Sequence, residues 1–184
     1  MYKNLNIRFI WIIFIVSAAA QLLFPILSII EKNDILASGM EFKIQTQPID
    51  PADPFRGRYV AISVVADIAE SAAPATPVSH DTCYIRLQEG ADGYAQVSEI
   101  SDTPLHGDGI LKLHDVYIST DGIRLPYDRY YMRESAAPKA EAAYRERRDA
   151  YVTLRVKNAK GVVSGLYLDG MPAEEYIKGM EASD

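Results

Sequence analysis

The apolar residues of this chain form one long run near the N-terminus and then a series of short alternating segments. Residues 9–30 contain no charged side chain. As a helix they would extend about 33 Å, enough to cross the ~30 Å hydrocarbon core of a bilayer. From residue 40 onward, apolar and polar positions alternate in several segments, which is typical of half-buried β-strands. The pattern predicts an N-terminal tail (1–8), a transmembrane helix (9–30), a juxtamembrane linker (31–39) and a β-rich domain (40–184).

The longest alternating segment, residues 59–68, follows a proline-rich bend at residues 47–58. Proline removes a backbone donor and favours extended geometry in the preceding residue, so the bend is predicted to be non-helical. Residues 41–47, before the bend, also alternate, and we expect these two strands to pair. The predicted core face of the longer strand consists of Val60, Ile62, Val64, Ala66 and Ile68.

The remaining pattern predicts short strands and two helices. A helix is predicted where the period changes, at residues 138–150, with Pro138 in its first turn. A second helix is predicted at residues 172–180. The fold class is therefore a mainly antiparallel β (α+β) domain, an open sheet or partly closed barrel with one or two short helices. Further strands are predicted at 82–88, 94–100, 110–118 (with a bulge near His114), 123–127, 151–157 and 162–168.

Charges on either side of the apolar run predict its orientation. Lys3 and Arg8 precede it, whereas Glu31, Lys32 and Asp34 follow it with a net negative charge. Positive residues flanking a span are retained in the cytoplasm, so the N-terminus is predicted to be cytoplasmic and the β-rich domain extracytoplasmic.

A cleaved signal peptide is the alternative interpretation of the same run. Residues 7–16 would then be its apolar region, and Ala18-x-Ala20 its cleavage site. Cleavage there would leave residues 22–27 as an apolar tail at the start of the mature chain. A retained anchor avoids exposing that tail to water.

Net charge and cysteine content exclude several classes of function. The formal charge is −6, and without the first 32 residues, which carry +2, the domain carries −8. An acidic domain argues against nucleic acid and anionic lipid as partners. Cys83 is the single cysteine, so neither an intramolecular disulfide nor a multi-cysteine zinc site is possible. We assign no cofactor and no metal.

Two polar groups are candidates for a catalytic or metal-binding site. His106, Asp108, His114 and Asp115 lie within ten residues, but their spacing does not force the locked geometry of a metal site. We therefore expect them to be solvated loop residues. Cys83 and the nearby His80 are a second pair, in which Cys83 is expected to face the core as a small apolar residue.

Ser38 lies just beyond the apolar run, a layout that resembles signal-peptidase-like enzymes with a Ser/Lys dyad. The proline and small residue expected after such a serine are missing, and no lysine stands out in the sequence as its base. We assign no catalytic residue.

An aromatic and basic cluster is the stronger candidate for binding. Tyrosine and arginine are enriched at binding hot spots, because they offer large contact area and a polar tip. The competing interpretation is that the tyrosines pack over a sheet edge while the arginines pair with Asp50, Asp53 or Glu134. The cluster contains Tyr127, Arg129, Tyr130, Tyr131 and Arg133, to which the bend adds Phe55, Arg56, Arg58 and Tyr59.

Residues 57–64 read GRYVAISV, which resembles the motif of the membrane-anchored bacterial family named GDYXXLXY. Gly57 and Tyr59 match, Arg58 replaces Asp, Ile62 replaces Leu and Val64 replaces the last Tyr. The likeness extends to the layout of an anchor followed by a domain of this size. It also includes the lead-in with Asp53, Phe55 and Arg56, and the segment with Tyr130, Tyr131 and Glu134.

The resemblance implies a bacterial membrane protein and a β-rich fold, but no reaction. We therefore predict a non-enzymatic module in the cytoplasmic membrane that binds another membrane or envelope protein through the motif and the aromatic cluster. The alternative is a membrane-tethered hydrolase using Ser38 or the His106/His114 group.

Overall fold

The computed structural model describes residues 7–48, 59–120, 122–133, 135–146 and 149–181, and shows one long helix followed by a β-rich domain. The predicted fold class is confirmed. The helices and strands are α1 (Ile7–Ser38), β1 (Met40–Pro48), β2 (Tyr59–Ile68), β3 (Val78–Glu89), β4 (Ala95–Ser101), β5 (Ile110–Ile118), β6 (Ile123–Arg124), β7 (Arg129–Tyr131), α2 (Ala137–Glu146), β8 (Ala150–Lys157), β9 (Lys160–Leu168), β10 (Met171–Pro172) and α3 (Ala173–Glu181).

Five of the strands close into a barrel in the order β2–β4–β3–β5–β6, with β6 returning to β2. All these pairs are antiparallel except β2–β4, where Asp67 and Ile68 lie opposite Gln96 and Val97 in parallel. The parallel contact continues past the strand end, because the Ala69 amide donates to the Val97 carbonyl at 2.9 Å. This contact joins strands that are not neighbours in sequence and so closes the barrel.

Strand β1 links the barrel to a second sheet. Residues 40–45 pair with β8, whereas residues 46–48 pair with β2, which confirms the predicted contact between the strands on either side of the bend. Strands β8, β9 and β10 complete the second sheet. The Lys112 amide of β5 donates to the Ala159 carbonyl at 2.9 Å, so the β8–β9 turn also contacts the barrel.

Strand β2 is buried on both faces, whereas the alternation predicts burial on one. Val60, Ile62 and Val64 face the barrel core as expected. Ala61 and Ser63, on the other face, are each only 5% exposed. Helix α2 packs over this face and buries Ala136, Ala137, Ala140, Ala143 and Tyr144 at helical spacing.

Helix α1 continues to Ser38, so the predicted juxtamembrane linker (31–39) is helical through residue 38. Its apolar part is long and hydrophobic enough to cross a membrane, with a mean hydropathy of 2.4 and no burial against the domain. Ile35, in contrast, is buried at 3% exposure. The helix ends at Gly39, whose amide donates to the Ile35 carbonyl at 2.8 Å. Docking on the domain therefore extends the helix beyond the apolar run.

Several boundaries differ from the predicted ones. Strand β3 begins at Val78 and not at the predicted residue 82, because its pairing with β5 extends to Val78. Ala150 begins β8 and does not end helix α2. Strand β5 keeps one register with β3 throughout, so the predicted bulge is absent there, although Asp115 has a φ of 49°. Register shifts occur instead in the β3–β4 and β8–β9 pairs.

Candidate functional site

The last turns of helix α1 dock on the β8–β9 hairpin through residues 31, 34, 35 and 38. This spacing places the four on one helical face. Glu31 pairs with Lys160, and Asp34 with Lys157. Between these ion pairs Ile35 is buried. We call this contact, made by Glu31, Asp34, Ile35 and Ser38 with Lys157 and Lys160, the clamp.

The clamp includes a lysine beside Ser38 that sequence reasoning missed. Lys157 Nζ lies 2.8 Å from Ser38 Oγ and 2.8 Å from each carboxylate oxygen of Asp34. Ser38 and Lys157 are 119 positions apart, so no local motif could have identified the pair. Both residues line a cavity of about 460 Å³ that also includes Asp108 and Asn158.

Lys157 and Ser38 belong to one connected set of hydrogen bonds. An ammonium has three donors, and those of Lys157 contact three oxygens, two on Asp34 and one on Ser38. Ser38 in turn donates to the Asp34 carbonyl at 2.9 Å. With Lys157 as an ammonium, these contacts join the helix to the hairpin.

The pKa of Asp34 is lowered, chiefly because Lys157 donates hydrogen bonds to the carboxylate. Desolvation opposes this effect only in part. The Asp34 carboxyl is therefore ionised at neutral pH, and its ion pair with Lys157 is present there.

A cleft of about 450 Å³ opens on another side of helix α1. It brings together the predicted cluster residues Tyr127, Arg129, Tyr130 and Tyr131, to which the helix adds Lys32. No sequence spacing connects Lys32 to this cluster, and sequence reasoning missed it. We call this the tyrosine cleft, lined by Lys32, Pro126, Tyr127, Asp128, Arg129, Tyr130, Tyr131, Gly161, Val162 and Val163.

Beside the tyrosine cleft, Tyr59 meets Tyr131 edge to face and also contacts Arg129; we call these three side chains the stack. Tyr59 and Tyr131 lie opposite each other in the β2–β7 pair, with ring centroids 5.8 Å apart. The Arg129 guanidinium lies 5.2 Å from the centroid of the Tyr59 ring, within range of a cation–π interaction. Tyr131 is nevertheless 66% exposed. The sequence pattern missed strand β7, which positions this stack.

The inner tyrosines are fixed by hydrogen bonds. Tyr130 Oη donates to Glu174 Oε1 of helix α3 at 2.7 Å. Burial raises the pKa of Tyr127 to about 12, and a hydrogen bond with the Gly161 backbone opposes the rise. Burial also raises the pKa of Tyr130, assisted by Glu174. Both phenols therefore stay protonated at neutral pH and add no charge to the tyrosine cleft.

Some predicted site residues lie outside the described part of the chain. Of the predicted cluster, the structure places only Tyr59, Tyr127, Arg129, Tyr130, Tyr131 and Arg133. No pairing of the arginines with Asp50, Asp53 or Glu134 is therefore described. The remaining predicted motif and binding residues, Asp53, Phe55, Arg56, Gly57, Arg58 and Glu134, fall in the undescribed segments.

The predicted histidine group is spread along strand β3. Arg86 donates to the His106 carbonyl at 3.1 Å, whereas His114 hydrogen-bonds Thr82 at 2.9 Å. Arg86 and Thr82 are four residues apart, about 13 Å along a strand. Within the described ranges, no three His, Cys, Asp or Glu side chains form a group that could hold a metal ion.

Cys83 is fully buried in the core, and this burial raises the pKa of its thiol. His80 lies three residues away on the same strand, which places the two side chains on opposite faces. His80 instead contacts Asp102 at 2.6 Å. Cys83 therefore behaves as a small core residue, as its position in the alternation predicts.

Comparison with known proteins gives one match. A family model with the description GDYXXLXY protein matches residues 21–166, more than half of the chain. The matched region includes the C-terminal half of helix α1, the clamp and every described residue of the tyrosine cleft. No curated protein and no solved structure matches the chain.

Proposed function

This chain belongs to the GDYXXLXY protein family, and from that premise we propose that it is a non-enzymatic binding module anchored in the bacterial cytoplasmic membrane. Helix α1 would cross the membrane once with its N-terminus in the cytoplasm. The β-rich domain would then bind a neighbouring membrane or envelope protein on the extracytoplasmic side. The apolar length of α1 and the basic residues before it support this topology.

The observation that carries the proposal is the exposed stack of Tyr59, Arg129 and Tyr131. Large aromatic and arginine side chains contribute most of the binding free energy at many protein interfaces. Here strand pairing holds them in place before any partner arrives, which reduces the entropy lost on binding. An exposed tyrosine supported in this way is suited to contact with a partner.

The clamp gives the stack a defined position. Lys32, which lines the same cleft, follows the apolar run by two residues. Because α1 continues through the clamp into β1, the stack is held close to the membrane surface. A partner embedded in the same membrane would therefore meet this surface laterally.

Site-specific photocrosslinking tests the proposal. A photoreactive phenylalanine replaces Tyr131 in the full chain, expressed in its own bacterial cells. Tyr117 on β5, which is 60% exposed against 66% for Tyr131, provides the matched control position. We expect a discrete protein adduct from position 131 that is lost with Arg129→Glu. Equal adducts from both positions, or none from position 131, would contradict the proposal.

The anchor is tested separately by the mass of the mature chain. We expect the protein extracted from membranes to retain residues 1–20. A mature chain beginning at Gln21 would show that the N-terminal run is a cleaved signal peptide.

A membrane-tethered hydrolase is the second candidate, favoured only by the 2.8 Å distance between Ser38 and Lys157. The pairing of Lys157 with Asp34 argues against it, because an ammonium has no lone pair to accept the serine proton. Ser38→Ala and His114→Ala variants should both complement a deletion strain and return it to the wild-type phenotype. Loss of complementation by either folded variant would favour the hydrolase.

A further inference from the structure

We propose that the tyrosine cleft holds the phosphate group of an anionic phospholipid from the leaflet in which helix α1 emerges. The proposal rests on the proposed membrane anchoring by helix α1. It concerns the part of the cleft lined by Lys32 and does not depend on a protein partner at the stack.

The position of the cleft relative to the end of the apolar run favours a lipid as its ligand. The uncharged run ends at Ile30, and Lys32 lies two residues beyond it, about 3 Å along the helix axis. The headgroup layer extends roughly 5–7 Å beyond each side of the hydrocarbon core. The clamp attaches the domain to this part of the helix, so the cleft opens within the headgroup layer.

The three lysines near the C-terminal end of helix α1 differ in whether they form ion pairs. Lys157 and Lys160 both pair with carboxylates of helix α1. Lys32, on another face of the same helix, makes no ion pair with any residue that the structure describes, yet it faces the cleft. An unneutralised ammonium at a cleft wall in the headgroup layer is complementary to a lipid phosphate.

The walls of the cleft contain both apolar and polar groups, which match the acyl chains and the headgroup of a phospholipid. Val162 and Val163 provide apolar surface, and the tyrosine rings are amphipathic in the way that is favoured at membrane interfaces. Asp128 also lines the cleft, but the Arg129 guanidinium lies 3.6 Å from its carboxylate and offsets its charge. Lys32 therefore determines the sign of the local charge.

The net charge of −8 on the domain does not prevent this binding. At physiological salt, exposed charges separated by more than about 8 Å are largely screened. A phosphate in the cleft therefore responds mainly to Lys32 and much less to the distant carboxylates. The expectation that an acidic domain repels anionic lipid holds for its bulk surface and not for this cleft.

Native mass spectrometry of the full chain in detergent tests the proposal. The protein is incubated with equal amounts of phosphatidylglycerol and phosphatidylcholine, and the retained lipid is counted. We expect one phosphatidylglycerol per chain, preferred about fivefold over phosphatidylcholine, because the choline of phosphatidylcholine offsets the charge of its phosphate and weakens the ion pair with Lys32. Lys32→Gln should abolish the preference, and Lys32→Arg should preserve it.

Arg124→Gln is the matched control, since Arg124 is an exposed arginine on β6 outside the cleft. It should leave the preference unchanged. Thermal midpoints equal to that of the wild type would show that each variant is folded. Equal retention of the two lipids by the wild type, or an unchanged preference in Lys32→Gln, would overturn the proposal. Displacement of phosphatidylglycerol by millimolar inorganic phosphate would also overturn it, by showing a site for free anions.

Discussion

Lys157 Nζ lies 2.8 Å from both carboxylate oxygens of Asp34, and this contact joins the end of strand β8 to the last turns of helix α1. The orientation of the domain relative to helix α1 therefore depends on a few side chains at the helix–hairpin contact.

The Asp34–Lys157 pair should make docking of the helix dependent on pH. Because the pKa of Asp34 is lowered in the folded state, its contribution is present above the ordinary value of 3.8 and is lost as pH falls below it. A double-mutant cycle with Asp34→Asn and Lys157→Met, read from thermal midpoints, should show favourable coupling near pH 7. The coupling should decrease progressively as pH falls below 3.8 and through the lowered pKa of Asp34. Equal coupling at neutral and at acidic pH would mean that the carboxylate is not responsible.

Gly39 and Gly179 should respond to alanine in opposite directions. A Cβ at Gly39 would lie 2.5 Å from the Ile35 carbonyl oxygen and 3.2 Å from backbone atoms of Val156. Backbone atoms cannot rotate away, so Gly39→Ala should lower the free energy of unfolding by about 1–3 kcal/mol.

Gly179, in contrast, lies in helix α3, where an added Cβ would have no atom within 4 Å. Gly179→Ala should raise stability by up to about 1 kcal/mol through helix propensity. Urea unfolding of the full chain in detergent measures both variants. Destabilisation of the same size in both would contradict the steric explanation.

The turn between β8 and β9 contains a strained alanine. Asn158 and Ala159 have φ values of 52° and 59°, as a two-residue hairpin turn requires. An alanine disfavours this region, whereas glycine enters it freely. Ala159→Gly should therefore raise the free energy of unfolding by about 0.5–1 kcal/mol.

The reverse substitution provides the control for the turn. Gly170 has a φ of 78° and no atom within 4 Å of an added Cβ, so only backbone strain opposes alanine there. Gly170→Ala should cost about 1 kcal/mol. A stabilising effect of Gly170→Ala, measured by the same urea titration, would show that backbone strain does not govern these turns.

Tyr144 carries a buried hydroxyl, which we expect to contribute little to stability. Its ring is 1% exposed, and Oη meets no hydrogen-bond partner of good geometry within the described residues, although Thr46 and the Ser63 backbone lie nearby. Burial raises the pKa of Tyr144 to about 12, so the hydroxyl is neutral. Tyr144→Phe should lower the free energy of unfolding by no more than about 1 kcal/mol, or should raise it.

Tyr144→Ala tests the ring itself. Its removal would leave a cavity under helix α2 and should cost about 3–5 kcal/mol. A large loss in Tyr144→Phe, seen in thermal unfolding, would show that the hydroxyl is satisfied in solution.

The sequence predicted the individual elements because their signals are local. The apolar run, the alternation at 59–68, the helix starting near Pro138 and the β8–β9 hairpin each follow from side-chain periodicity over a few residues. The cluster of Tyr127, Arg129, Tyr130 and Tyr131 was also recognisable, since its members are nearly consecutive. Strand β7 was missed, because three residues are too few to show a period.

Only the tertiary structure decided which distant residues meet. It placed Lys157 beside Ser38, Lys32 in the tyrosine cleft and β4 parallel to β2, each across a separation that no local pattern encodes. It also extended helix α1 through residues 31–38, because burial of Ile35 and the ion pairs stabilise a helix that the apolar run alone would end at Ile30. Periodicity determines what a segment becomes, whereas packing and charge pairing across space determine where it lies.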